Sequence, residues 1–374
     1  MKTLSDLNFR NKTVILRTDL NSEVINKKIL LSERIKQATK TISELKRKKA
    51  KVVVLAHQGQ PGKDDFISLG QHSKFLNKYT KIKFIKDTIG KKAITAIRNL
   101  NSGQAILLEN IRFEKDEYKP EKAKKNKLYS LAKIADIYVN DAFSVCHRKH
   151  FSIMGFPKYL KSCAGRLLER EINALKKLKI KNNLYILGGA KSEDYFPLLK
   201  GKKVLACGLF GQLCVIAKGK NLGAQNLYLK NKLYLIKKLK KKLKNVLTPV
   251  DFAVKVKNKR KELLLEEFPS KYEIFDIGKN TIEKYVSEIK KAKAIYMKGP
   301  AGFYSDKQFC KGTQAILNAV AENKGFSLIG GGELSNAIEK MKINKKRFGY
   351  ISLSGGALLK YIAGEKLPGL EALK

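Results

Sequence analysis

The chain has 374 residues, of which 43% are hydrophobic, and a formal net charge of +45; that length exceeds what one compact core supports, so two domains are expected. No apolar run reaches about 18 residues, which excludes a membrane-spanning helix. Five scattered cysteines (Cys146, Cys163, Cys207, Cys214, Cys310) form no CxxC pair, which argues against a structural zinc site or a disulfide framework and for buried free thiols in a reducing compartment.

The opening stretch, MKTLSDLNFRNKTVILRTDL, lacks the apolar segment of a signal peptide, so a cytoplasmic chain is expected. Val14–Arg17 reads as a strand that ends in a polar loop. Arg34–Lys48 has helical spacing, with Ile35, Ala38, Ile42 and Leu45 on one face. Lys51–Ala56 is the next predicted strand; Ala105–Leu108 and Asp136–Val139 follow, each after a helical stretch. These apolar runs are continuous, as in parallel strands buried on both faces. Near Ala164 the pattern changes to one long helix carrying Leu167, Leu168, Ile172 and Leu175. Strands resume at Leu184–Leu187, Lys203–Ala206, Ala294–Met297 and Ser327–Ile329, each followed by a turn of glycine or small residues. The predicted fold class is α/β: two doubly wound parallel-sheet, Rossmann-like domains at 1–164 and 179–361, joined by a linker helix at 165–178.

In open α/β sheets, ligands bind at the carboxyl ends of the strands. In the first half the residues just past the strands are Asp19 and Asn21, His57 in HQGQP, Arg112 in LENIRF, and His147 and Arg148; Arg34 opens the first helix. Three arginines, two histidines and an Asp/Asn pair suit a small molecule carrying carboxylate and phosphate, which guanidinium grips in bidentate fashion. In the second half the loops are ILGGAKSED, KVLACGLFG, MKGPAGFY and LIGGGEL. Glycines let backbone N–H groups approach phosphate, and helix N-termini favour its charge. Lys191 offers a point charge to a polyphosphate and Glu333 a carboxylate to Mg²⁺. None of these loops is a P-loop.

Two of the four histidines fall in YVNDAFSVCHRKHFS, Tyr138–Ser152. HxxH beside Cys146 is a poor tetrahedral metal set. A proton-transfer base and an anion clamp are the remaining readings.

Taken in order, RTDLN, SERIK, AHQGQP, LLENIRF, VNDAF..CHRKH, ILGGAK, LLEREI, PVDFAV, DIGKNTI, KGPAGF, KGTQAI, IGGGEL, ISLSGGA and KLPGLEAL resemble the blocks of the phosphoglycerate kinase family, from about Val14 to the last residues. The resemblance implies a hinge-bending kinase. Its N-terminal domain takes 3-phosphoglycerate, its C-terminal domain takes MgATP, and its C-terminal tail, here 362–374, packs back on the N-terminal domain. Carried over by position, Asp19, Asn21, Arg34, His57, Gln60, Arg112 and Arg148 would hold the phosphoglycerate. Lys191, Tyr195, Gly208, Lys298, Ser305, Gly331, Gly332, Glu333 and Leu334 would face the nucleotide, with Glu333 near its Mg²⁺. Arg34 and Lys191 would be catalytic. The nucleophile would be an already ionised carboxylate, so no base is required; the histidine stretch becomes an anion clamp worked by Arg148, with His147 and His150 bracing its loop. A monomer is expected.

The departures fall mostly on the nucleotide side. Gln60 stands where the family has arginine. Tyr195 replaces a phosphate-contacting lysine, Lys298 the asparagine before the GP turn, Ser305 a ribose-binding glutamate, Glu333 an aspartate and Ser354 a glycine. Lys298 is a candidate stand-in for the lost lysine. The competing reading is a weakened paralogue that binds anions or nucleic acid. Because aromatic residues are not interleaved with the lysines and no nucleic-acid motif occurs, the charge reads as a compositional preference for lysine and no nucleic-acid partner is expected.

Overall fold

The computed structural model describes residues 1–178 and 183–374. The chain divides into two compact units: Met1–Ile172 with Gly356–Lys374, and Asn173–Gly355.

The first unit is built on six strands: β1 (Thr13–Thr18), β2 (Lys51–Leu55), β3 (Lys83–Ile85), β4 (Ala105–Leu108), β5 (Ile137–Asp141) and β6 (Lys161–Ala164). Their order is β3-β4-β2-β1-β5-β6, and every pairing is parallel. The central strands are buried on both faces, which is why TVILR and KVVVL show no alternation. Helix α1 (Glu33–Arg47) follows β1. Ser32 caps it by accepting from the Ile35 N–H at 3.4 Å, Glu33 sits in its first turn, and Lys46 and Arg47 sit in its last, so both ends suit the helix dipole. Its buried stripe is Ile35, Ala38, Ile42 and Leu45, packed on the core that holds Val14, Leu16, Val52 and Val54.

Helix α2 (Arg166–Lys177) lies where the linker helix is expected, and the boundary between the units falls inside it, after Ile172. The expected start of the second domain, residue 179, lies outside the described residues.

The second unit repeats the plan with β7 (Asn183–Leu187), β8 (Lys203–Ala206) and β9 (Val246–Leu247). An antiparallel insert follows, made of β10 (Asp251–Val256), β11 (Lys259–Leu264) and β12 (Ile274–Ile277). Then come β13 (Ala294–Lys298), β14 (Phe326–Gly330) and β15 (Tyr350–Ser352). The parallel sheet runs β9-β8-β7-β13-β14-β15. Among its helices are α3 (Gly208–Ala217), α4 (Ala224–Tyr228), α5 (Ile236–Lys240) and α6 (Gly332–Lys340). The insert carries no continuous apolar run and escapes a search for one. Its signal is the turn Lys257-Asn258, where both residues have positive φ (45° and 60°), the requirement of a tight type I′ hairpin. The edge strands β3, β6, β9 and β15 also lie outside the sequence expectation. They are two to four residues long, too short to show a period.

The C-terminal segment joins the first unit from Gly356, six residues before the expected 362. It opens with α7 (Gly356–Ile362), whose Tyr361 ring meets Phe143 edge-on at 6.4 Å; further on, the Gly369 N–H donates to the Cys146 carbonyl at 2.9 Å.

Candidate functional site

In the first unit the carboxyl end of β1 delivers Asp19 and Asn21, that of β2 delivers His57, and that of β4 leads through Asn110 to Arg112. Asp19 is 4% exposed. Its carboxylate accepts from Ser144 Oγ and from the Asn21 N–H at 2.9 Å, and faces Arg34 Nε at 3.3 Å. Burial pushes this carboxyl up, but the Arg34 guanidinium and the two hydrogen bonds outweigh it and hold it at about 2. Asp19 is therefore a permanent anion whose charge aims Arg34. Arg34 also donates to the Asn21 carbonyl at 2.9 Å, and Asn21 Oδ1 accepts from the Gly59 N–H at 2.7 Å, which pins the HQGQP loop.

His57 rests on Arg17, a fully buried residue that sequence reasoning passed over because it lies inside β1 rather than after it. Arg17 donates to Ser152 Oγ at 2.9 Å and to the Thr18 carbonyl, and its third nitrogen lies 3.1 Å from His57 Nδ1. Guanidinium can only donate, so Nδ1 accepts and the proton of the imidazole sits on Nε2. Burial, with Arg17 and Arg112 nearby, holds the His57 pKa well below its ordinary value. His57 is thus a fixed neutral donor, not a base. Ser152 in turn is bound twice by the buried Glu117, at 2.6 and 2.9 Å, so a charge chain runs beneath the site.

Arg112 is 7% exposed, donates to the Gly59 carbonyl, and keeps its Nε buried without a partner. Gln60 and Arg148 are exposed and take no part in these bonds. His147 and His150 diverge. His147 packs within 3.5 Å of the position a Cβ on Gly356 would take, while His150 is buried 3.5 Å from Glu117 with its ring edge on Tyr118. His72 is fully buried, and its Nε2 lies 3.1 Å from Gln58 Oε1.

In the second unit, the loops at the carboxyl ends of β7, β8, β13 and β14 press against one another. Gly188, Gly189 and Gly208 donate their N–H groups to the carbonyls of Lys298, Pro300 and Ala301 at 2.8, 2.8 and 3.0 Å. A Cβ on Gly208 would lie 2.6 Å from the Gly189 nitrogen, so glycine is required for the loops to touch. Gly208 lines the cavity of the second unit. Its N–H is spent inside the protein, and it contributes a wall rather than a phosphate donor. A Cβ on Gly331 or Gly332 would meet nothing within 4 Å, so the start of α6 is open on that side; the Gly331 N–H donates to the Ser352 carbonyl at 3.4 Å, and the N–H groups that follow it open the helix.

Tyr195 and Leu334 are corrected. Tyr195 is 1% exposed, its ring meets Phe210 edge-on, and its hydroxyl donates to the Gly188 carbonyl at 2.6 Å. It braces the glycine loop from below instead of facing a ligand. Leu334 is fully buried in the core, so only its backbone at the start of α6 is placed for binding. Lys191, Ser305 and Glu333 are exposed. Lys298 is 9% exposed; burial and Lys191 lower its ammonium to about 8 against the pull of Asp194 and Glu333. Those four charged groups therefore gather at one place.

A cavity of about 420 Å³ adjoins them, within the range of about 300–1,000 Å³ usual for small-molecule sites. Gly189, Gly208, Pro300, Ser305 and Glu333 line it, together with Leu209, Tyr228, Phe275 and Phe303, which the sequence reading did not single out. A larger cavity of about 1,090 Å³ lies at the β3–β4 edge of the first unit and contains none of the candidate residues, so size alone does not locate the site.

The family model described as phosphoglycerate kinase matches residues 4–365. Among curated proteins, the phosphoglycerate kinases of Sulfolobus acidocaldarius and Methanopyrus kandleri are 40% and 37% identical. These alignments cover 99% and 100% of this chain and 95% and 97% of those proteins. Among solved structures, that of phosphoglycerate kinase from Pyrococcus horikoshii superposes with a TM-score of 0.91 at 36% identity, covering 100% of this chain and 98% of that one.

Proposed function

The chain belongs to the phosphoglycerate kinase family, and on that premise we propose that it moves a phosphoryl group reversibly between ATP and the carboxylate of 3-phosphoglycerate. The observation that carries this reading is the buried Arg17–His57 and Asp19–Arg34 network, which holds fixed donors around a small anion's position. In this reading Arg112, Arg148 and Gln60 take the phosphate end of 3-phosphoglycerate. His57 Nε2–H and Arg34 take its carboxylate end. The carboxylate is already ionised and attacks the γ-phosphorus without a base; catalysis rests on positioning and on neutralising charge. The nucleotide occupies the 420 Å³ cavity, its phosphates toward Lys191, Lys298 and the open start of α6.

Mg²⁺ would arrive with the nucleotide. Glu333 fits it: it is an exposed hard-oxygen ligand whose Oε2 lies 3.6 Å from the Cβ position of Gly189, and Mg²⁺ is commonly held by one or two carboxylates plus substrate phosphates. When bound, the ion neutralises phosphate charge. A monomer belongs to the same reading, and no helix among the described residues is long and apolar enough to cross a membrane. A cytoplasmic setting is part of the same reading.

The direct test is a coupled assay for acyl-phosphate formation from ATP and 3-phosphoglycerate. No turnover with purified protein and Mg²⁺ would refute the proposal.

Two further results are expected. Lys298 is charged below about pH 8 and neutral above it. The KM for ATP therefore rises as pH climbs from 7 to 9, by about tenfold if one charge-assisted contact is lost. Lys298→Arg, which stays protonated, flattens that profile. A wild-type profile that is already flat would remove Lys298 from nucleotide binding. Second, Arg112→Ala weakens 3-phosphoglycerate binding measured by calorimetry while ATP binding to the same full-length protein is unchanged, because Arg112 belongs to the first unit and the cavity to the second. An equal loss for both ligands would contradict that division.

A further inference from the structure

Residues 195–250 contain no aspartate or glutamate, and ten lysines lie between Lys218 and Lys244. This stretch folds as α4, a 3₁₀ turn at Lys230–Leu235, and α5. Leu235, Leu239 and Leu243 point inward, at 5%, 0% and 8% exposure, and turn the lysines outward. The same stretch leaves Leu227, Tyr228 and Tyr234 at 74%, 58% and 68% exposure. So the sequence expectation that aromatic rings are not interleaved with lysines fails here.

We propose that this stretch of the second unit binds single-stranded nucleic acid, with a base stacked on Tyr234 and the backbone phosphates held by the exposed lysines of the same stretch. Three observations support it. Tyr234 is presented rather than loose: its hydroxyl donates to Glu193 at 3.3 Å, and its neighbours Lys232 and Lys238 are anchored on the Ala190 carbonyl and, at 5.0 Å, over the Phe196 ring. A ring already held in place loses little freedom when a base stacks on it. The long acid-free stretch means that local lysine charge is not neutralised by neighbours in sequence, which suits a phosphate backbone. The elements are short and the leucines of α5 face the core, so there is no continuous apolar helix face of the kind that lies in a membrane surface. This favours a nucleic acid over an anionic lipid surface.

With a net charge of +45, weak attachment to any polyanion is expected, so the test must separate stacking from bulk charge. The probe is a fluorescently labelled 12-nucleotide oligo(U), titrated by anisotropy at several salt concentrations, with and without saturating MgATP. Tyr234→Ala leaves the net charge unchanged and is expected to weaken binding about tenfold, the loss of one stacked base. Tyr234→Phe keeps the ring and binds like the native protein. Lys240→Ala combined with Lys241→Ala is expected to reduce the slope of log K against log[salt] by about 1.4. Retained melting temperature shows that each variant is folded. The proposal is overturned if Tyr234→Ala binds as tightly as the native protein, since bulk charge then suffices. Displacement of the oligonucleotide by MgATP overturns it as well, because Tyr228 also lines the nucleotide cavity and the probe would merely be occupying that cavity. Tighter binding to phosphatidylserine vesicles than to the oligonucleotide overturns it in favour of a lipid surface.

Discussion

Replacing Arg34 with alanine is expected to lower kcat by on the order of a hundredfold or more while the melting temperature stays within about 2 °C of the native value. The side chain is partly exposed, and α1 keeps its own cap at Ser32 without it. What it does have is an aim. Asp19, held ionised at about 2, and the Asn21 carbonyl both fix the guanidinium at the mouth of the first unit. A cation held before the reaction costs no reorganisation during it, so its benefit goes to the state in which phosphoryl charge is greatest. The signature is a fall in kcat with a smaller change in KM for 3-phosphoglycerate. Arg34→Lys recovers little, because a point charge cannot keep both bonds. An unchanged kcat in Arg34→Ala would remove this residue from the mechanism.

The second large effect concerns stability. From family likeness alone, Tyr195→Lys looks like the restoration of a nucleotide contact. The structure predicts damage instead. Tyr195 is 1% exposed among Phe210 and the glycine loop, so the substitution places an ammonium where no water reaches and strips the Gly188 carbonyl of its donor. An uncompensated buried charge costs about 3–5 kcal/mol. The melting temperature should fall by on the order of 10 °C, with weaker ATP binding as the loop loses its brace. Tyr195→Phe, which loses only the hydroxyl bond, is expected to cost about 1 kcal/mol. Thermal melts of both variants check this. A Tyr195→Lys protein that melts like the native one and binds ATP more tightly would show that the loop opens to solvent.

The parallel strands were legible because burial on both faces forces an unbroken apolar run, as in VVVL at 52–55. The post-strand rule then found Asp19, Asn21, His57 and Arg112 with no further information, since the crevice lies where those strands end. Two kinds of residue escaped it. Arg17 and Glu117 act from beneath the site, and nothing in RTDL or KDEY distinguishes a buried charge from a solvated one. Phe275 and Phe303 line the 420 Å³ cavity but sit in segments where an aromatic residue reads as ordinary packing. Tyr195 shows the opposite error. Position in a motif indicated a ligand contact, but at that position the backbone directs the side chain into the core, and motif spacing carries no information about that direction. The three-stranded insert was hidden by its own chemistry, because its hairpin is rich in lysine and turns at Lys257-Asn258 without a glycine.

The return of residues 356–374 to the first unit carries a consequence for synthesis on the ribosome. The Cys146 carbonyl and the Phe143 ring meet their partners Gly369 and Tyr361 only after the whole second unit has been made. At about 5–20 residues per second, the roughly 200 residues after Ile172 take on the order of 10–40 s to appear. For that interval the first unit waits with the docking surface for its last segment uncovered, while residues 173–355 emerge as a contiguous stretch able to complete their own core. The unit that begins first therefore finishes last.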